Sequence, residues 1–268
     1  MELMIKDLEF SYQKHPVLKR TSFTLKGGQL ICVLGKNGAG KSTLFRCILG
    51  FLKGFQGTIL IDDIRLNDYS ERELAKKIAY IPQNHNFVFA YPVIDMVMMG
   101  TAASLSLFGS PGKREREKAL EALKMTGIEG LKNRIYSQLS GGEQQLVLIA
   151  RAITQEARIL LLDEPCASLD YGNQIRVMSE LKNLSENGYL VVMSTHNPEH
   201  AFYFAHQAMV MMDGSVKALG EPSNVLTKEL LESLYQVPID IYKDENSGRK
   251  ICMPGKENQI CGNCTTVS

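Results

Sequence analysis

The chain has 268 residues, of which 44% are apolar and 22% charged, ordinary proportions for a soluble globular protein of one domain or a domain with a subdomain. Its 30 Lys and Arg against 29 Asp and Glu leave a net charge of +1, which gives no general attraction to nucleic acid or anionic lipid. No apolar run is long enough to span a membrane, and Met1 to Lys6 lacks the basic, apolar and small-residue order of a signal peptide, so a cytosolic chain with reduced thiols is expected.

Leu3 to Phe10 alternates imperfectly, Thr21 to Leu25 is short and β-prone, and Leu30 to Leu34 is an unbroken apolar run, the pattern of a strand covered on both faces. Gly35 interrupts that run and Lys41 to Leu49 reads as a helix. A strand at Thr58 to Ile61 and a helix at Glu71 to Ile78 follow, leading to Ala79-Tyr80-Ile81. Phe87 to Gly100 is apolar and Met-rich, and Thr101 to Gly112 reads as a loop rich in Ser and Gly. Lys113 to Met125 places Ala119, Leu120 and Leu123 on one face with charges elsewhere, as an amphipathic helix does. About residues 86–139 are expected to form a helical insert. Strands and helices then alternate: helix Gly142 to Thr154, strand Ile159 to Asp163, helix Tyr171 to Asn187, strand Leu190 to Ser194, helix Glu199 to Ala205, strand Ala208 to Met212. Asp213-Gly214 is a hairpin signal. Such alternation predicts an α/β core around a mainly parallel central sheet. After about Glu221 come a short helix, Lys228 to Tyr235, and a polar tail.

Three constellations carry chemistry. Gly35-Lys36-Asn37-Gly38-Ala39-Gly40-Lys41-Ser42 lies between a buried strand and a helix, the context of a phosphate-binding loop. Its glycines let successive backbone N–H groups turn inward, and the positive end of the helix that Lys41, Ser42 and Thr43 open adds to the pull on phosphate. Lys41 suits the β- and γ-phosphates of a nucleoside triphosphate, and the Ser42 hydroxyl suits Mg²⁺. The second is Ile159 to Glu164, in which an apolar strand delivers Asp163 and Glu164 at its carboxyl end, where open α/β sheets bind ligands. Asp163 is placed to hold the Mg²⁺ shell, and Glu164 is a candidate general base toward a water. The third is Leu139-Ser140-Gly141-Gly142-Glu143-Gln144-Gln145, in which Ser140 and Glu143 form a capping box and the Gly141 and Gly142 amides a second anion site.

That last heptad resembles the signature sequence of the ABC (ATP-binding cassette) ATPases, and it precedes Asp163-Glu164 at the spacing of that family. The resemblance covers about residues 2–220, with residues 221–268 as a C-terminal helix and Cys-containing tail. It implies a P-loop NTPase (RecA-like) core with a mainly parallel sheet, an N-terminal antiparallel β subdomain and an inserted helical subdomain. It also implies further roles: Tyr12 stacking on adenine, Gln83 as switch glutamine and Mg²⁺ ligand, Ser168-Leu169-Asp170 touching a dimer partner, and His196 as the switch histidine at the γ-phosphate. ATP would lie between two copies packed head to tail, with Lys41, Ser42, Gln83, Asp163, Glu164 and His196 on one and Ser140, Gly141 and Gly142 from its partner. Phe89 to Gly100 is similar to the same stretch in importers of iron-siderophore, haem and cobalamin. Lys36 in place of a common proline and Cys166 in place of a usual threonine depart from the pattern, at positions that supply no catalytic group.

The resemblance thus implies an ATPase on the cytoplasmic face of the membrane, working with permease subunits, an external substrate-binding protein and no nucleic acid. Phe87 to Gly100 is a candidate surface for the permease. An importer of another substrate, such as molybdate, is one alternative. A soluble ABC ATPase acting on nucleic acid or ribosomes is the more distant one, and the chain has neither the long coiled coil nor the second cassette usual there. Cys252, Cys261 and Cys264 have a spacing compatible with zinc or iron–sulfur ligation. Three thiols without a histidine are one ligand short of a closed zinc site, so a reduced tail is the preferred reading.

Overall fold

The computed structural model describes residues 1–83, 90–105, 109–245 and 249–255. Strands β1 (Glu2–Tyr12) and β2 (His15–Lys26) form an antiparallel hairpin that buries Leu3, Ile5 and Leu8 against Leu18, Phe23 and Leu25. The second strand starts earlier than its β-prone stretch suggests. Its register slips three times against β1 and Arg20 takes a left-handed φ of 28°; such irregularities erase the alternation that marks a strand. Pro16 is tolerated because β2 is an edge strand. After β3 (Gln29–Leu34) and α1 (Lys41–Ile48), β4 (Gln56–Ile61) and β5 (Ile64–Arg65) complete an antiparallel sheet of order β2-β1-β4-β5.

Ser70 caps α2 (Glu71–Ala75) through a capping box with Glu73. The helix stops short of Ile78 because Ile78 to Ile81 leaves it to become β6, pairing in parallel with β7 (Ile159–Leu162). Between those strands, α3 (Val93–Met98) and α4 (Lys113–Met125) pack on α5 (Gly141–Thr154). Val93, Ile94, Met96, Val97, Ala119, Ala122 and Leu123 meet Leu146, Val147 and Ala150 there in one core. Most of the apolar Met-rich stretch is thereby spent on packing. Among its described residues only Ala90, Tyr91 and Asp95 are exposed.

The chain continues through α6 (Tyr171–Glu186), β8 (Leu190–Thr195), α7 (Pro198–Phe204), β9 (Gln207–Met212) and β10 (Ser215–Gly220). The central sheet has the order β10-β9-β3-β8-β7-β6. It is parallel throughout except for β9 and β10, which turn at Asp213-Gly214 with φ of 51° and 80°, the two positive values a tight primed turn needs. Every residue of β7 and β8 is buried, as strands covered on both faces must be. The fold is therefore the α/β architecture expected: a mainly parallel core, an N-terminal antiparallel subdomain and an inserted helical one.

The C-terminus departs from expectation. After α8 (Pro222–Val225) and α9 (Lys228–Tyr235), the segment read as a polar tail forms a hairpin, β11 (Ile239–Lys243) with β12 (Lys250–Pro254). Ile239 is buried, and Ile241 and Cys252 pack on the core beneath. Cys252 is half-buried in β12, and burial pushes its thiol up to about 11. Cys261 and Cys264 lie outside the described residues, among which no group of three or more His, Cys, Asp or Glu is placed to hold a metal. Nor is any helix of the described residues long and apolar enough to cross a membrane.

Candidate nucleotide site

Four parallel strands, β3, β8, β7 and β6, stand side by side. Their carboxyl ends and the segments that leave them carry Gly35–Ser42, Ser194–His196, Asp163–Glu164 and Gln83 respectively. In the loop after β3, Gly40 holds φ of 101°, and a Cβ there would come within 3.0 Å of Leu18 Cδ2 and 3.2 Å of the Val17 carbonyl. Only glycine meets both demands, and β2 is thereby pressed against the loop. Lys41, 6% exposed, donates from Nζ to the carbonyls of Gly35 at 2.6 Å and Lys36 at 3.1 Å. Burial lowers its pKa, opposed by the negative charges of Glu164 and Asp163. The ammonium is thus pinned at the loop mouth, aimed by its own backbone.

Asp163 is 8% exposed. Its Oδ1 accepts from the Ser194 hydroxyl at 2.6 Å, and the same oxygen of Ser194 accepts the Glu164 N–H at 2.9 Å. One buried hydroxyl therefore sets both acidic residues. Glu164 has φ of 49°, a left-handed conformation that costs a non-glycine residue about 1–3 kcal/mol and persists only where neighbours impose it. Its carboxylate is gripped on both sides: Gln83 Nε2 donates to Oε2 at 3.1 Å, and His196 Nε2 contacts Oε1. Behind His196, the Thr195 hydroxyl bonds His200 Nδ1 at 2.9 Å and accepts the Asn197 N–H at 3.1 Å. His200, buried, has its pKa lowered by desolvation. Its Nε2 lies 3.4 Å from Gln174 Oε1, which suits a neutral ring protonated on Nε2.

The structure thus brings Lys41, Gln83, Asp163, Glu164 and His196 into one cluster with the loop Gly35–Thr43. A hydroxyl (Ser42), an amide oxygen (Gln83) and a carboxylate (Asp163) are hard oxygen donors of the kind Mg²⁺ takes, so the residues present fit that ion. Tyr12 sits apart in the N-terminal sheet, 38% exposed, with Phe10 against it edge-on at 4.9 Å. Ser140 caps α5: its N–H and its hydroxyl donate to Glu143 Oε2, each at 2.9 Å. These bonds hold the Glu143 carboxyl below its usual range. A Cβ on Gly141 would meet Leu169, and one on Gly142 would lie 2.3 Å from Asn173 Oδ1. Ser140–Gly142 therefore abuts Ser168–Asp170 and α6, and no hydrogen bond among the described residues ties it to the Lys41 cluster. Ser194 was not singled out by sequence. The available signal was a polar residue ending the apolar run Leu190–Met193.

A family model described as ABC transporter matches residues 18–167. An uncharacterised ABC transporter ATP-binding protein of Haemophilus influenzae is 42% identical, covering 88% of this chain and 90% of that one. The molybdate import ATP-binding protein MolC of the same organism is 36% identical, with 88% and 89% covered. The hemin import ATP-binding protein HmuV of Agrobacterium fabrum is 35% identical, with 82% and 86% covered. Among solved structures, an inward-facing ABC transporter described as of the metal-chelate type superposes with a TM-score of 0.83 at 33% identity, covering 95% of this chain and 98% of that chain. A dimeric structure of a bacterial ABC transporter cassette gives a TM-score of 0.71 at 31% identity, with 82% and 98% covered. With its phosphate loop, acidic strand end and signature helix in these positions, the chain belongs to the ABC transporter family, as an ATP-binding and ATP-hydrolysing cassette.

Proposed function

We propose that this cassette powers an importer of metal-containing solutes, either metal chelates such as iron-siderophore, haem or cobalamin or an oxyanion such as molybdate. The observation that carries the ATPase half is the grip on Glu164 by Gln83 and His196, next to Lys41. The importer half is supported by the names of the molybdate and hemin relatives and by the metal-chelate-type transporter.

In this reading Lys41 and the amides of Gly38 to Thr43 bind the β- and γ-phosphates, and Tyr12 stacks on adenine. Ser42, Gln83 and Asp163 would hold Mg²⁺, which neutralises phosphate charge when bound. Glu164 accepts the proton of the attacking water. Its position is preset by Ser194, so little reorganisation is left for the chemical step. His196 links that carboxylate to the γ-phosphate end of the site. Ser140, Gly141 and Gly142, which no hydrogen bond among the described residues ties to their own cluster, serve the site of a second copy packed head to tail, which the dimeric relative supports. Closure of the pair excludes water from the phosphates.

The cassette would sit on the cytoplasmic face of the membrane against permease subunits, and through them an external substrate-binding protein. A cavity of about 980 Å³, lined by Phe51, Phe55, Leu74 and Tyr80 together with Lys53 and Glu71, offers a seat of mixed apolar and charged character for the permease beside β6, the strand that delivers Gln83. The test is reconstitution in liposomes with permease subunits of the metal-chelate and molybdate types, measuring ATP-dependent uptake of molybdate, haem, ferric siderophore and cobalamin. Uptake of one of these is expected. Absence of uptake of all four, with ATPase activity indifferent to the permease, overturns the importer reading.

A further inference from the structure

The backbone at His196 is held by a part of the chain that lies outside the catalytic sheet. Tyr235, the last residue of α9, donates its hydroxyl to the His196 carbonyl at 2.8 Å. Burial pushes that phenol well above its usual range, which favours the protonated form that donates. The helix behind it is firmly seated. Thr227 caps it, Leu231 and Leu234 are fully buried, and Glu232 Oε1 accepts the Ile239 N–H at 3.1 Å. Lys228 reaches Asp240 Oδ1 on β11 at 2.7 Å.

The hairpin that follows grips the same region from its far side. Strand β12 packs on α7, the helix that begins two residues after His196. The Arg249 guanidinium stacks over the Tyr203 ring of α7 at 5.6 Å, and Lys250 Nζ donates to the Ser223 carbonyl at 2.5 Å. The turn between β8 and α7 is thus clamped twice. Thr195 and His200 hold it from within, and Tyr235 holds it from the C-terminal unit, whose β12 packs on α7.

We propose that Tyr235 is a positioning residue for hydrolysis: its hydroxyl fixes the peptide plane of His196, so that the ring keeps facing Glu164 and the γ-phosphate. The described residues of the C-terminal unit, 222–245 and 249–255, are then a brace for the catalytic turn. This rests on the role given to His196 above. Without that bond the 196–197 peptide keeps the Asn197 N–H to Thr195 Oγ1 as its hinge but loses the tie on its carbonyl side, and a ring displaced by a fraction of an ångström loses its place at the carboxylate.

The experiment is a double-mutant cycle on the full-length chain, comparing Tyr235→Phe, His196→Ala and the pair. Each is followed by single-turnover ATP hydrolysis, ATP affinity and thermal melting. Tyr235→Phe removes one oxygen and keeps the ring. It is expected to slow hydrolysis roughly five- to tenfold, the worth of one hydrogen bond, with ATP affinity unchanged. In the His196→Ala background the same substitution is expected to change nothing, because Tyr235 acts only through that residue. If His196→Ala slows hydrolysis while Tyr235→Phe leaves it intact, the brace is refuted and the role of His196 stands. If Tyr235→Phe slows both backgrounds equally, the hydroxyl acts on general stability and positioning is refuted. Full activity in His196→Ala removes both readings together.

Discussion

Replacing Ser194 by Ala should damage stability and turnover together, and the structure sets the scale. The side chain is fully buried, and its single oxygen serves two partners, the Asp163 carboxylate at 2.6 Å and the Glu164 amide at 2.9 Å. A hydrogen bond to a charged group contributes about 1.5–3 kcal/mol, and an amide left unpaired costs about 1–3 kcal/mol. Alanine also avoids burying a hydroxyl, which offsets part of the loss. A net destabilisation of about 2–4 kcal/mol follows. At about 2–4 °C per kcal/mol for a chain of this size, the melting midpoint should fall by roughly 4–16 °C.

The catalytic effect of that change runs through the backbone. Glu164 sits in a left-handed conformation immediately before Pro165, and a residue before proline prefers extended geometry. Without the Ser194 oxygen that strain can relax, carrying the carboxylate away from Gln83 and His196. Turnover should drop on the order of 100-fold, the scale of a misplacement of about 1 Å. Urea unfolding without nucleotide, so that ligand linkage does not mask the change, is the stability assay, paired with steady-state ATP hydrolysis. An unchanged midpoint with unchanged turnover would refute the claim that one hydroxyl organises both carboxylates.

Glu164→Gln should cut hydrolysis on the order of 10²- to 10⁴-fold while ATP still binds; undiminished turnover removes Glu164 from the role of base. Ser140→Arg should abolish hydrolysis yet spare ATP binding to the monomer, and normal hydrolysis by that variant would remove the composite site. His200 supplies a pH test. Its folded pKa is depressed below 6.5, so the unfolded chain binds protons more readily. Stability is then unaffected above that value and falls as the pH drops below it, by at most about 1.4 kcal/mol per pH unit. In His200→Gln the loss of stability between neutral and mildly acid pH should be shallower, as read by urea unfolding. Identical slopes would show that His200 does not titrate between the two states.

Much of the core was legible because buried parallel strands advertise themselves. The runs Leu30–Leu34, Ile159–Leu162 and Leu190–Met193 are apolar at every position, and no solvated element needs that. The phosphate loop and the signature helix were legible for a different reason, since their chemistry is local in sequence. Ser194 was harder to pick out because its value lies in two contacts, each about 30 residues distant in sequence. The C-terminal hairpin was hidden as well. Its strands are mostly half-exposed, so they carry little apolar periodicity and owe their form to pairing and to the surface beneath. Tyr235 belongs with them, an aromatic whose polar end is informative only once its distant acceptor is known.

The strand order of the central sheet bears on how the protein is made. Within the sheet, β3 and the pair β7–β6 are joined through β8, which ends at Thr195. A nascent chain emerging from the ribosome therefore lacks, until that strand is synthesised, both the sheet pairing between its phosphate loop and its acidic pair and the Ser194 hydroxyl that sets the pair. Pairings so distant in sequence form late and slowly. The last-made strand of the four thus completes both the sheet and the residue cluster, because Ser194 and Thr195 lie on it and His196 follows it.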